Sequence, residues 1–227
     1  MRKKSFYKEW IEPFLIAAVV ALFIRQFVVE AFKIPSGSMI PTLKIGDHLL
    51  VNKFVYGPRI PFTDTRFFSW QEPKRGDVIV FKFPVDENKD FIKRVVGLPG
   101  DKIEIKNGVL MVNDQPVKLL EESAPGRAAQ TSESEAGFQP KFYKEQLGPV
   151  THDIQYLHDQ SGASFGPVVV PKESVFVMGD NRDNSQDSRV WGFVKFNKIL
   201  GRALIIYWSW NGETSWVRWN RIGSLIR

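Results

Sequence analysis

Apolar residues follow two patterns along this chain, one near the N-terminus and another over the remainder. Residues 13–24 form a run of twelve residues without a charge, and mainly apolar character extends over residues 6–32, with charges near the ends. A helix needs roughly 20 predominantly apolar residues to cross the hydrocarbon of a bilayer. The longer stretch reaches that length, so the pattern predicts a single transmembrane anchor. Lysines and arginines precede it, and the positive-inside rule then predicts a cytoplasmic N-terminus.

Two other interpretations of this stretch stay open. An apolar run is also found in a buried helix of a soluble core and in the h-region of a cleaved signal peptide. Val29-Glu30-Ala31 offers a small-x-small cleavage site for the second interpretation. We favour the retained anchor because cleavage after Ala31 would leave the serine-containing turn that follows at a new N-terminus.

Beyond residue 33 the pattern changes to short β-branched and aromatic segments separated by Gly, Pro, Asn and Asp, which is typical of β-strands. Residues 102–112 predict a hairpin around Asn107-Gly108, the dipeptide preferred in two-residue hairpin turns. Further strands are predicted within residues 47–56, 77–83, 91–97, 168–170, 175–178 and 199–208. The predicted fold class is mainly β, in which the anchor precedes a folded antiparallel sheet or barrel-like domain.

Composition divides the chain into three parts. Residues 121–140 are dominated by Glu, Ser, Ala, Gly and Gln, as in a surface loop that has few apolar residues to bury. We therefore predict a cytoplasmic segment and anchor over residues 1–32, a β core formed by residues 33–118 and 166–227, and an inserted, loop-rich cap over residues 119–165.

The net charge of +6 is concentrated at the two ends of the chain. Residues 1–33 carry six basic and three acidic side chains, residues 216–227 carry three arginines and no acid, and the remainder is balanced. A nucleic-acid-binding domain would show a basic face within its folded body, so nucleic acid is not expected as a partner. Four tryptophans between residues 208 and 219 are typical either of a lipid-facing patch or of aromatic cross-strand pairs. The absence of cysteine excludes disulfides and thiol-based metal or redox sites.

A turn directly after the apolar stretch carries the first candidate for chemistry. Residues 34–43 are Ile-Pro-Ser-Gly-Ser-Met-Ile-Pro-Thr-Leu, so one glycine separates Ser36 from Ser38 and prolines flank both. Acyl transfer needs a hydroxyl nucleophile and a donor that stabilises the oxyanion, and a stiff turn can hold both.

A nucleophilic serine needs a base, and the three histidines, His48, His152 and His158, are weak candidates because two lie in the insertion and the third on a predicted strand. Lysine is the known alternative in serine hydrolases. It must be neutral, and burial lowers its pKa from the ordinary value of about 10.4. Lys93 lies within an apolar predicted strand and is the best lysine candidate.

Four motifs, in this order, resemble those of the bacterial type I signal peptidases. They are residues 34–43, residues 75–81 (Arg-Gly-Asp-Val-Ile-Val-Phe), residues 91–101 (Phe-Ile-Lys-Arg-Val-Val-Gly-Leu-Pro-Gly-Asp) and residues 179–192 (Gly-Asp-Asn-Arg-Asp-Asn-Ser-Gln-Asp-Ser-Arg-Val-Trp-Gly). The family consists of membrane-anchored serine proteases with a Ser-Lys dyad. Its members remove signal peptides from exported preproteins at the outer face of the cytoplasmic membrane.

The resemblance implies a role for individual residues. Ser38 would be the nucleophile and Lys93 the general base, and the Ser36 hydroxyl with the Ser38 N–H would form the oxyanion hole. Ser185 would orient the lysine. The residues expected to support this loop are Asp187, Arg189, Asp180 and Arg94. The residues expected to line two shallow apolar pockets, which accept small side chains such as Ala, are Phe32, Ile34, Pro35, Met39, Leu43, Phe91 and Ile92.

The same resemblance implies partners and a location. The partners would be preproteins that carry signal peptides, membrane lipid and, by proximity, the secretion translocon. The chain would cross the bacterial cytoplasmic membrane once, with its catalytic domain on the outer face. No metal or cofactor is expected; the loop at residues 179–192 lacks the central glycine and terminal glutamate of an EF-hand calcium loop.

Alternative functions stay open on the sequence alone. A specialised maturation protease with the same Ser-Lys scaffold would cleave one partner only. A membrane-anchored β domain that binds extended peptides without cleaving them would carry an inactive dyad. Self-cleaving repressors share the dyad, but they need a DNA-binding domain for which this sequence has no signal.

Overall fold

The computed structural model describes residues 7–60, 63–122, 140–157 and 164–227, and the body of the protein is mainly β, as predicted. Every pairing between two named strands is antiparallel. The strands are β1 (Val29–Lys33), β2 (Asp47–Asn52), β3 (Val78–Lys82), β4 (Asp90–Gly97), β5 (Lys102–Lys106), β6 (Val109–Val112), β7 (Gln115–Pro116), β8 (Lys118–Glu122), β9 (Lys141–Leu147), β10 (Val150–Tyr156), β11 (Phe165–Val169), β12 (Ser174–Met178), β13 (Val194–Lys195), β14 (Ile199–Asn211) and β15 (Trp216–Val217).

Helical structure precedes the sheets. A π-helical turn at Tyr7–Ile11 leads into α1 (Glu12–Phe27), which has Pro13 in its first turn, where a missing N–H breaks no helical hydrogen bond. None of the residues of α1 is buried, so the interpretation as a buried core helix is wrong. Short helical segments also occur at α2 (Ser188–Trp191), Phe196–Lys198 and Trp219–Arg221.

The predicted anchor and the observed helix differ in extent. β1 begins at Val29, so the last residues of the stretch predicted to cross the membrane form a strand paired with β2. Within the described part of the chain, no helix combines the length and the apolar character needed to cross a membrane. Cleavage after Ala31, as in the signal-peptide interpretation, would cut through the middle of this strand.

The largest sheet has the strand order β1-β2-β14-β3-β4-β12-β13, with β15 also paired to β14. Side chains of β3 alternate between two hydrophobic clusters: Val78 and Val80 belong to one, and Ile79 and Phe81 belong to the other. Because successive side chains of a strand point to opposite faces, this sheet is covered by apolar packing on both faces.

The sheet curves so that distant strands approach each other. Phe32 of β1 and Ile92 of β4 pack against the same cluster, although β2, β14 and β3 lie between these strands in the sheet order. This curvature brings the turn after β1 next to β4, which positions the site described below.

Two smaller sheets complete the described fold. β5 and β6 form the predicted hairpin, with Asn107 and Gly108 both at positive φ, and this hairpin belongs to a sheet of order β11-β5-β6-β7. β8, β9 and β10 form a three-stranded sheet within the predicted insertion. The described part of the predicted insertion is therefore rich in strands rather than in loops, and β9 buries the side chains of Phe142 and Leu147. Most of the predicted loop at residues 121–140, and His158, lie outside the described residues.

Candidate active site

Residues 34–43, called the serine turn below, follow the end of β1 and are held against the start of β2. The amide of Ile34 donates to the Asp47 carbonyl, and the amide of Gly46 returns a hydrogen bond to the Ile34 carbonyl. Met39, at 0% exposure, lies directly after Ser38 and anchors the turn in the core cluster shared by β1 and β3. The apolar residues that the sequence places around the serines thus fix the turn, while its polar groups face the site.

Lys93 and Ser38 meet, although 55 residues separate them in the chain. Lys93 Nζ lies 2.6 Å from Ser38 Oγ and 3.0 Å from the Ile92 carbonyl oxygen. Both side chains are buried, with 4% exposure for Lys93 and 8% for Ser38. The structure therefore joins the two residues that the sequence analysis selected as nucleophile and base.

Burial changes the acidity of this lysine. Desolvation lowers the pKa of Lys93 to about 8, although the Asp187 and Asp180 carboxylates act in the opposite direction. An apolar environment disfavours the charged ammonium, and this favours the neutral amine that a general base requires. A neutral amine at hydrogen-bonding distance from a hydroxyl can remove its proton as the hydroxyl attacks a carbonyl.

Two donors lie in the same turn. The Ser38 amide forms no hydrogen bond to any described residue. Ser36 is exposed, and its hydroxyl is likewise unpaired within the described part of the chain. A backbone N–H and a hydroxyl that are free of other partners are the groups from which oxyanion holes are built.

The loop after β12 packs directly against the serine turn. Asn181 donates from its backbone N–H to the Ser38 carbonyl at 3.1 Å and from Nδ2 to the Gly37 carbonyl at 3.2 Å. Position 179 has no room for a side chain, because a Cβ there would clash with the Ser38 carbonyl oxygen and with Ser185 Oγ. Any other residue at 179 would therefore push the loop away from the nucleophile.

The Ser185 hydroxyl is buried beside Gly179, but the hydrogen bond to Lys93 implied by the family resemblance is not formed. Ser185 Oγ has no well-aligned hydrogen-bonding partner among the described residues, although it lies close enough to Asp187 to help lower the pKa of that carboxyl. Asp187 accepts hydrogen bonds from the Gly179 amide at 3.0 Å and from Arg189 Nε at 2.8 Å. Asp187 is also the N-cap residue of α2, and its carboxylate accepts a hydrogen bond from the Arg189 amide.

A second ion pair lies beneath the site. Arg94, which follows Lys93 on β4, donates from Nε and Nη2 to the two oxygens of Asp180 at 2.8 and 2.7 Å. Both side chains are fully buried, and Thr42 donates to the same carboxylate. A bidentate arginine–carboxylate pair fixes orientation as well as charge, so it ties β4, the serine turn and the loop after β12 together.

The residues predicted to line the substrate pockets separate into two groups. Ile34, Met39 and Leu43 are buried to 2% exposure or less and pack inside the core, beneath the surface of the site. The members of the set that remain partly or fully exposed are Phe32, Pro35, Phe91 and Ile92. Only these four can present side-chain atoms to a bound peptide without a rearrangement of the core.

Sequence reasoning missed a buried polar cluster behind the site. Arg182 makes a bidentate pair with Glu145 of β9, and His152 Nε2 of β10 lies 3.3 Å from Glu145 and 3.8 Å from Asp180. Burial lowers the pKa of His152, which favours the neutral imidazole. Among the described residues, neither His152 nor His48 forms a hydrogen bond with Ser38, whose hydroxyl is bonded to Lys93, and the ring of His48 packs against Tyr207. The only sequence signal for this cluster is the density of charged and amide residues in the loop at 179–189.

A buried serine hydroxyl, a lysine of lowered pKa and two unpaired donors in one turn define a serine hydrolase of the Ser-Lys type.

Comparison with known proteins names the family within that class. The profile of the family described as signal peptidase, peptidase S26, matches residues 7–208. Signal peptidase I of Pseudomonas fluorescens is 40% identical over 226 residues, which cover 92% of this chain and 75% of that protein. Signal peptidase I of Aquifex aeolicus is 38% identical, over an alignment that covers 89% of this chain and 84% of that protein. The chain belongs to the signal peptidase family, peptidase S26.

Among solved structures, a signal peptidase I from Enterococcus faecalis is 30% identical and aligns over 59% of this chain and 98% of its own, with a TM-score of 0.36. The family assignment therefore depends on the sequence comparisons.

Proposed function

We propose that this chain is an endopeptidase that removes signal peptides from exported preproteins, with Ser38 as the nucleophile and Lys93 as the general base. The observation that supports these roles most directly is the 2.6 Å contact between Ser38 Oγ and Lys93 Nζ in a buried setting. Family membership supports the reaction class, and the free donors of the turn support acyl transfer.

The reaction would proceed through an acyl-enzyme. Neutral Lys93 takes the proton of Ser38 as Oγ attacks the scissile carbonyl, and the oxyanion accepts hydrogen bonds from the Ser38 N–H and the Ser36 hydroxyl. The ammonium of Lys93 then donates its proton to the leaving amine, and an ester to Ser38 remains. Lys93, again neutral, next removes a proton from water, and the hydroxide attacks the ester carbonyl. The bond to Ser38 Oγ breaks, the new carboxyl end of the signal peptide leaves, and the ammonium of Lys93 returns the proton to Oγ.

The remaining polar residues would hold this geometry. Asp187 with Arg189, and Asp180 with Arg94, fix the loop and the strand on either side of Lys93. By the family resemblance, Ser185, whose hydroxyl is buried beside Gly179, would hydrogen-bond Lys93 during the reaction, although the two groups are not bonded in this structure.

The substrate would bind as an extended strand. β1 is an edge strand of the large sheet, so its outer backbone hydrogen-bonding groups are available to a peptide. A peptide paired with this edge would place its scissile bond at the serine turn. Half-buried Phe32 and Ile92 pack on the same cluster and would form the floor of a shallow pocket. A shallow floor accepts Ala and excludes larger side chains, which is consistent with a small-x-small cleavage site.

We further propose that α1 associates with the membrane, so that the site acts near the bilayer surface, on the outer face of the bacterial cytoplasmic membrane and close to the translocon. The observation that favours this location is the exposure of apolar side chains around α1, including Phe14 at 74% and Val19 at 65%. Helices that are apolar on all sides are found in the core of large proteins or in membranes, and α1 is not buried in this protein.

The decisive experiment compares the full chain with Ser38→Ala and Lys93→Ala in cleavage of a preprotein that carries an Ala-x-Ala site. The wild type should cleave after the second Ala, and neither variant should, while circular dichroism shows that all three fold. Lys82→Ala is a matched control, because this lysine is also on the large sheet but pairs with Asp90 at the surface.

Each other outcome has a definite meaning. Cleavage that survives Lys93→Ala would refute the base assignment. A folded wild type that cleaves only one natural partner would indicate a specialised maturation protease, and one that binds the preprotein without cleaving it would indicate a peptide-binding domain.

A further inference from the structure

The peptide group between Gly37 and Ser38 is a geometric link between the loop after β12 and the proposed oxyanion hole. Its carbonyl belongs to Gly37 and its N–H belongs to Ser38. Because a trans peptide is planar, the carbonyl and the N–H point in opposite directions, and fixing one fixes the other. Whatever holds the Gly37 carbonyl therefore decides where the Ser38 N–H points.

Two groups hold that carbonyl. The Ile40 amide donates to it at 3.1 Å within the turn, and Asn181 Nδ2 donates to it at 3.2 Å from outside the turn. Asn181 also donates its backbone N–H to the next carbonyl, that of Ser38. The asparagine is fully buried, and it holds the peptide groups on both sides of Ser38 from the interior of the protein.

Asn181 is itself held from behind by the hairpin of β9 and β10. Gln155 of β10 donates its amide to the Asp180 carbonyl at 2.8 Å and accepts from the Arg182 amide at 2.9 Å, so it brackets Asn181 in a short parallel bridge. Glu145 of β9 binds the Arg182 guanidinium through both oxygens, and both side chains are at least 97% buried.

The charges at this contact fit a fixed rather than a mobile junction. Burial raises the pKa of Glu145, but the Arg182 guanidinium outweighs this effect and the pKa falls to about 2. The carboxylate therefore stays ionised at neutral pH, and the ion pair that joins the hairpin to the loop persists.

We propose that Asn181 is a positioning residue, which orients the Gly37–Ser38 peptide so that the Ser38 N–H faces the oxyanion, and that the β9–β10 hairpin serves to hold Asn181 in place. The inference depends on the proposed function, because it assigns a role in that reaction. It also gives the insertion a task, which is to brace the catalytic turn from the side opposite the substrate.

The test uses the full chain with Asn181→Leu, which removes the Nδ2 donor at nearly constant size. Cleavage of the Ala-x-Ala preprotein should show kcat lower by about tenfold or more, the effect of losing roughly one hydrogen bond from the transition state. KM should stay within about twofold, since the substrate does not contact this residue. The acid limb of the pH profile should not move, because Lys93 keeps its environment.

Asn88→Leu is the matched control. It makes the same change of side chain, but Asn88 is exposed and its Nδ2 donates to Asp86 in the turn between β3 and β4. This variant should keep the wild-type kcat. A folded Asn181→Leu variant with the wild-type kcat, or a loss that lies only in KM, would overturn the proposal.

If Asn181→Leu does not fold, Asn181→Ala is measured in the same way, because it removes the donor without adding a branched side chain. A folded Ala variant with reduced kcat supports the proposal, and one with unchanged kcat refutes it. If neither variant folds, Asn181 is required for stability and the positioning role is rejected. The wild type distinguishes the two proposals: its failure to cleave would refute the proposed function, whereas normal cleavage by Asn181 variants would refute only this inference.

Discussion

At the scale of single residues, the chemistry depends on what burial does to one amine. Lys93 is surrounded by apolar strand residues and by the ring of Phe91, whose centroid lies 5.5 Å from Nζ. Desolvation disfavours the ammonium more than the neighbouring carboxylates favour it, so the pKa of Lys93 falls. The base is thus produced by its environment, and the environment can be tested by titration.

Activity should rise with pH through a pKa of about 8, the value to which burial lowers the Lys93 amine. Below this pH the lysine is protonated and cannot accept the Ser38 proton, so kcat/KM for the free enzyme falls as pH decreases. The measurement is a pH–rate profile for cleavage of a soluble signal-peptide substrate. Lys89→Ala, which changes a largely exposed lysine, should leave the profile unchanged. An acid limb near the ordinary histidine pKa of about 6.5 would contradict the assignment.

Ser36→Ala should reduce kcat by a factor of about 10²–10³, equivalent to about 2.7–4 kcal/mol, if the hydroxyl is a full oxyanion donor. KM should change little, because the donor acts on charge that develops in the transition state. Ser36→Thr keeps the hydroxyl and should retain most of the activity in the same steady-state assay. Equal losses in the two variants would show that the side chain acts by shape and not as a donor.

At the scale of elements, the β9–β10 hairpin is joined to the core through charged groups that are cut off from water. A buried ion pair contributes little net stability compared with apolar residues, but removal of one partner leaves an uncompensated charge. The junction between hairpin and core is therefore sensitive to single substitutions, while the exposed face of the same hairpin is not.

Glu145→Gln should lower the free energy of unfolding by about 3–5 kcal/mol, because it leaves the Arg182 guanidinium buried without a counter-charge. Lys144→Ala, the adjacent position on β9, breaks an exposed pair with Asp153 and should cost less than about 1 kcal/mol. Urea denaturation of both variants gives the comparison. The stabilisation from the Glu145 carboxylate also depends on pH. It is complete above the ordinary pKa of 4.5 and is lost as pH falls towards about 2. Similar losses for the two variants would contradict a buried junction.

At the scale of the whole molecule, α1 and the β body are differently built. The sheets bury apolar residues on both faces, whereas α1 buries none of its residues and exposes apolar side chains on every side. The contact between them is slight, with Lys53 of the body donating to the Arg25 carbonyl at 3.4 Å. Substitutions in α1 should therefore affect association with membranes and leave the catalytic site intact.

Leu22→Arg should weaken binding of the full chain to phospholipid vesicles, because an arginine at the centre of a membrane helix costs about 2.5–3.5 kcal/mol. Leu22 is 64% exposed, so its replacement should not disturb the fold or the cleavage of a soluble peptide. Val169→Arg on β11, at 62% exposure, is the matched control and should bind vesicles as the wild type does. Co-sedimentation with vesicles measures both, and equal binding by all three proteins would argue against α1 as the membrane contact.

Local pattern was sufficient for much of the fold. The alternation of β-branched and polar residues located most strands of the core, and Asn107-Gly108 located a hairpin, because turn chemistry and strand periodicity are properties of neighbouring residues. The four motifs in order were sufficient for the family. They were also sufficient to select Ser38 and Lys93, since a residue type within an ordered motif carries information that a lone lysine on a strand does not.

Contacts between distant segments required the tertiary structure. Only the curvature of the large sheet places Lys93 Nζ within 2.6 Å of Ser38 Oγ, and only burial lowers the pKa of the lysine. The separation of the predicted pocket residues into buried and exposed groups depends on three-dimensional packing in the same way. The hold of Asn181 on the serine turn, and of the β9–β10 hairpin on Asn181, has no sequence signal, because hydrogen bonds to backbone carbonyls leave no pattern in the side chains of the segments that they join.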